Sequence, residues 1–112
     1  MTGSADAHRA EYVQALLALY RTVPGVLGHV RRADRHLAAW LFAHAVPFYA
    51  VRNAFLVAAA RRAKHNAFSS PMPPIRSLHY FLPVIREVLN RPPGYRELDQ
   101  MRNMLVQECP TL

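Results

Sequence analysis

The chain has 112 residues, 52% of them hydrophobic and 19% charged, enough for one domain with a core and unlike a disordered chain. Lys+Arg is 14 against Asp+Glu 7, a net charge of +7. The single Cys excludes a disulfide framework and a Cys-based zinc cluster. Met1 to Ala10 has no apolar run of the kind a secretory signal needs, so a cytoplasmic, reducing compartment is expected.

Ser4 or Asp6 can cap a first helix running to about Thr22, with Tyr12, Val13, Leu16, Leu17 and Tyr20 on one apolar face. Pro24-Gly25 ends it, and Val26 to Arg32 reads as a loop. Asp34 is placed to cap a second helix, Arg35 to about Ala45, with Leu37, Trp40, Leu41 and His44 on one side. Val46-Pro47 breaks that helix, and Pro47 suits the first turn of a third, running to about His65. Val51, Ala54, Phe55 and Ala58 face inward there, and the apolar Leu56 and Val57 mark its middle as the central element. Arg61, Arg62 and Lys64 at its end complement the helix dipole.

Asn66 to Ile75 contains Pro71, Pro73 and Pro74 and reads as a loop. Ser77 can cap a fourth helix containing Leu78, Phe81, Leu82, Ile85, Val88 and Leu89, which Pro83 should bend or restart. Pro92-Pro93-Gly94 separates a last helix, about Tyr95 to Gln107, with Leu98, Met101 and Leu105 inward. No segment alternates as strands do. The expected fold is all-α, a single domain of about five helices over residues 1–112. Residues 1–5 and 108–112 should be frayed, and Cys109 a free thiol.

The basic excess is concentrated. Residues 35–86 carry Arg35, Arg52, Arg61, Arg62, Lys64, Arg76 and Arg86 and no carboxylate, while the flanking stretches are nearly neutral. Ordinary surfaces interleave both signs, so an acid-free stretch builds a one-signed field that draws polyanions. Thirteen of the 14 cations are Arg, whose guanidinium matches phosphate oxygens and guanine edges in pairs.

At the second joint, Ala45-Val46 supply small and apolar turn residues, and Val51 and Ala54 fall where a following helix would be buried. Over about Arg32 to His65 this resembles the helix-turn-helix family of DNA-binding modules. Two departures stand out. The turn lacks Gly, and the candidate first-helix set Leu37, Ala38 and Leu41 makes that helix nearly one turn longer than usual. The resemblance implies that the third helix enters a major groove by its N-terminal part. Phe48, Tyr49, Arg52 and Asn53 would then be exposed, with Arg52 and Asn53 on base edges. Arg31, Arg32 and Arg35, and separately Arg61, Arg62 and Lys64, would hold phosphates, with Arg76 added to the basic surface. The wider stretch Asp34 to Leu89, including Ile75 to Ile85, resembles domains of uncharacterised proteins from bacterial mobile elements and replication-associated genes.

Other chemistries find little support. The six His residues show no His-x-x-x-His spacing and no acidic partner pattern. Positioned carboxylates for acid–base work and a Gly-rich phosphate loop are missing from the sequence. No metal, cofactor or catalytic residue is therefore expected. The apolar run from Leu37 is interrupted by His44, Pro47, Arg52 and Asn53, short of the about 20 residues a membrane span needs. The sequence thus reads as a non-enzymatic protein that binds nucleic acid, with duplex DNA favoured over RNA. Its alternatives are an accessory subunit holding single-stranded nucleic acid and a structural interaction module. A homodimer or larger assembly would use the Tyr12/Leu16 or the Met101/Leu105 face.

Overall fold

A computed structural model describes residues 3–108; residues 3–5 and 108, expected to fray, are helical, and the rest of that expectation, with the free Cys109, lies outside the described residues. Five α-helices follow in order: α1 (Gly3–Thr22), α2 (Arg32–Ala43), α3 (Phe48–Phe68), α4 (Leu82–Asn90) and α5 (Tyr95–Glu108), with a 3-10 turn, Leu78–Phe81, before α4. The fold is all-α. Helix α3 is the central element, packed against α1, α4 and α5, whereas α2 rests on α1 and the 3-10 turn and barely touches α3.

The apolar face read on α1 enters the core: Leu16 and Tyr20 are fully buried. Tyr20, Phe55 and Phe81 bring α1, α3 and the 3-10 turn together, with ring centroids 4.8 Å apart for Phe55–Phe81 and 6.0 Å for Tyr20–Phe81. Each such buried side chain contributes about 1.5–3 kcal/mol. Tyr12 packs edge-on against Phe42 and Phe48 and donates its hydroxyl to the Val46 carbonyl at 2.9 Å. Burial there pushes the Tyr12 hydroxyl up to about 12. Met101 and Leu105 pack against the same core from α5. Both faces proposed for self-association are therefore engaged inside the domain.

The start of α2 differs from expectation. The helix begins at Arg32, so Asp34 lies in its first turn instead of capping it. Its carboxylate accepts the Arg31 N–H at 2.9 Å and, across the fold, the Leu78 N–H at 2.9 Å. Asp34 is completely buried, held by these two donors beside the positive end of the helix dipole. Ser77 does cap, accepting the His79 N–H at 3.1 Å, but it caps the 3-10 turn. Pro83 then falls at the start of α4, so the proline marks a restart.

Two loops lock together. Ile75 N–H donates to the Gly25 carbonyl at 2.7 Å and Leu27 N–H to the Ile75 carbonyl at 3.1 Å. Gly25 has φ 93°, in the left-handed region that glycine tolerates. Ala45, in the joint between α2 and α3, takes φ 56° without being glycine.

Candidate nucleic-acid interface

The residues read as a nucleic-acid site divide into three groups. Arg31, Arg32 and Arg35 stand exposed around the first turn of α2. Arg76 comes to the same end of the molecule, because the Asp34–Leu78 hydrogen bond ties its segment to α2. Arg31, Arg32 and Arg35 are exposed and lie in sequence beside Asp34, whose carboxylate is folded out of solvent.

The second group is divided by its contacts. Arg61 is exposed and forms a two-pronged pair with Glu87 at 2.9 and 2.5 Å. That hydrogen bond raises the guanidinium pKa and holds the Glu87 carboxyl below its ordinary range. Lys64 shares a cavity wall with Glu97. Arg62, expected to hold phosphate, is only 7% exposed. It donates to the Pro73 carbonyl at 3.0 Å and lies over the Tyr80 ring at 5.7 Å. Its place is against the 69–77 loop, where it is a structural anchor.

The third group lies at the start of α3. Tyr49 and Arg52 are exposed, Phe48 is half-buried against Tyr12, and Asn53 is 8% exposed. Asn53 therefore does not present its amide to a base edge. It shares a buried row with Ala50, Val57 and Ala60, at spacings of one helical face.

A groove absent from the sequence reading lies between α2 and the 3-10 turn with α4. It encloses about 460 Å³ and is lined by Ala33, His36, Leu37, Trp40, His79, Leu82 and Arg86. None of the lining residues is acidic. Trp40, read as inward, is 45% exposed, and His44 stacks on it with ring centroids 3.9 Å apart. Arg32, His36, Trp40 and His44 recur every fourth residue, one row along α2. Among the described residues no group of three metal-ligating side chains converges, and no helix is long and apolar enough to cross a membrane.

No protein family, curated protein or solved structure matches this chain. The site is accordingly read from its own chemistry.

Proposed function

We propose that this chain is a non-enzymatic nucleic-acid-binding domain that holds a single-stranded segment along α2. The observation that carries the reading is the groove of His36, Trp40, His79 and Arg86 without a carboxylate, while Asp34, the acid of that helix, is buried. Exposed aromatic rings offer stacking faces to any base, and cations track the phosphates. Arg31, Arg32, Arg35 and Arg76 extend the same field from the start of α2. The interior position of α3 supports single strands over duplex, since its middle is covered by α1, α4 and α5. Duplex DNA is the second reading, favoured by one feature: the left-handed turn at Ala45 delivers Tyr49 and Arg52 to the surface at the start of α3.

Trp40 is the chain's one tryptophan, so its fluorescence reports the groove directly. Titration with oligothymidylate at low salt should quench it. A matched duplex should bind about tenfold more weakly, and Trp40→Ala should weaken binding of labelled oligothymidylate about tenfold. Tighter binding of duplex, insensitive to Trp40→Ala, would move the site to Tyr49 and Arg52. Binding of no DNA or RNA would leave an interaction module.

A further inference from the structure

Arg62 is 7% exposed and forms no ion pair among the described residues. A buried cation without a counter-ion costs stability. Anchoring the loop uses one side of its guanidinium. Nη1 donates to Tyr80 Oη at 3.5 Å and lies 4.0 Å from Met72 Sδ, and Nη2 donates to the Pro73 carbonyl at 3.0 Å. Nε donates to nothing among the described residues. Solvent reaches it, because the fully enclosed side-chain atoms without a partner are Tyr20 Oη and Asn53 Oδ1. The Nε–Nη2 edge faces Gly25. A Cβ on residue 25 would stand in front of that edge, 2.8 Å from Nη2, 3.0 Å from Nε and 3.2 Å from Cζ, and glycine leaves it uncovered by a side chain. Gly25 and Arg62 line a common cavity of about 240 Å³, which Ala59, Ala63 and Leu105 wall with small and apolar groups. No acid lines it. Asn66, in the same wall, spends its Oδ1 on the Met72 N–H at 3.1 Å, so what its amide has left to offer is a donor.

We propose that this cavity is a binding site for a short-chain monocarboxylate. The carboxylate takes the Nε–Nη2 edge of Arg62 in a two-pronged pair and supplies the missing counter-charge. The Asn66 amide adds a donor, and the alkyl chain lies on Ala59, Ala63 and Leu105. One guanidinium answers one negative charge; a phosphate dianion would bring a second, and no further cation lines the cavity. The volume lies below the roughly 300–1,000 Å³ of sites for drug-sized ligands, which keeps the chain to a few carbons. None of the lining residues belongs to the α2 groove, so the site stands independently of nucleic-acid binding.

Three probes separate the features: butyrate has charge and chain, butyramide has the same shape without the charge, and inorganic phosphate has charge without the chain. Amide shift titration by NMR on the full chain should map butyrate to Gly25, to Arg62 through Asn66 and to the Leu105 turn of α5. Butyramide should bind more weakly by about tenfold or more, the range for hydrogen bonds to a charged group, and phosphate should also bind more weakly than butyrate. Gly25→Ala, which sets a methyl before the Nε–Nη2 edge, should abolish butyrate binding. So should Ala63→Leu, which fills the cavity and removes no partner of Arg62. If either variant unfolds by circular dichroism, the other and the three probes on the unaltered chain still decide. No shift at Gly25 and Arg62 with butyrate in large excess, equal affinity for butyramide, tighter binding of phosphate, or full butyrate affinity in a folded Ala63→Leu protein would each overturn the proposal.

Discussion

On the α5 side of the molecule guanidiniums pair with carboxylates, Arg61 with Glu87 at 2.9 Å and Arg102 with Asp99 at 3.2 Å, and Glu97 lines one cavity with Lys64. On the α2 side Arg32, Arg35 and Arg86 face solvent, and Asp34 is folded inside against the Leu78 N–H. Both sides are rich in arginine, and only the placement of the acids separates them. A count of charges along the chain therefore overstates one face and understates the other. What makes a surface attractive to a polyanion is the net field after pairing and burial, and here Asp34 is buried and no acid lines the α2 groove.

The comparison breaks most visibly at Asp34. Asp34→Ala leaves two backbone N–H groups without their acceptor and should cost about 2–5 kcal/mol in urea unfolding. Asp34→Asn keeps one acceptor oxygen and should cost less, while oligonucleotide affinity of the folded variant persists. A full-sized loss for Asn would mean that the charge, and not the geometry, holds α2 to the 3-10 turn. Next in size is the anchor against the 69–77 loop. Arg62→Met should destabilise by about 1–3 kcal/mol, with the Pro73 carbonyl left unanswered, and leave oligonucleotide affinity unchanged. A folded Arg62→Met protein that binds more weakly would return Arg62 to the interface. Gly25→Ala strikes the same anchor, because a Cβ there would stand 2.8 Å from Arg62 Nη2 on a backbone with φ 93°. About 1–2 kcal/mol is expected from the backbone alone.

Smaller effects follow from titration. The folded state holds the Tyr12 hydroxyl neutral up to about 12, above the ordinary value near 10. Its contribution is therefore complete below about pH 10 and is lost as pH rises towards 12. Alkaline unfolding should begin in that window, and Tyr12→Phe should flatten it; an unchanged profile would assign the loss elsewhere. Glu87 has the opposite sign. Its lowered carboxyl pKa means that the pair with Arg61 is present at neutral pH and fades as pH falls through that lowered value. Glu87→Gln should change stability least of all, and oligonucleotide affinity should stay the same although Arg61 is set free.

The helical architecture was readable because it depends on local signals: apolar spacing on α1, the cap at Ser77, the restart at Pro83. The burial of Asn53 and Arg62 was partly readable too. Arg62 follows Phe55, Ala58 and Ala59 on one helical face, and Asn53 belongs to the row Ala50, Val57, Ala60. The charge and polarity of these two side chains masked the spacing. What no local pattern carries is a partner far along the chain. Asp34 looks like an ordinary cap until Leu78, 44 residues away, supplies the second donor. Trp40 sits beside Leu37 and Leu41 in sequence, but α2 rests on α1 and the 3-10 turn and leaves that edge open.

The most direct test is the salt dependence of oligothymidylate binding in two pairs of variants. Arg32→Gln and Arg86→Gln should each flatten the slope of log affinity against log salt by about 0.7, the value for one phosphate contact on a single strand. Arg61→Gln and Arg102→Gln should leave the slope where it was. Equal flattening by all four, or flattening by the second pair alone, would contradict the account.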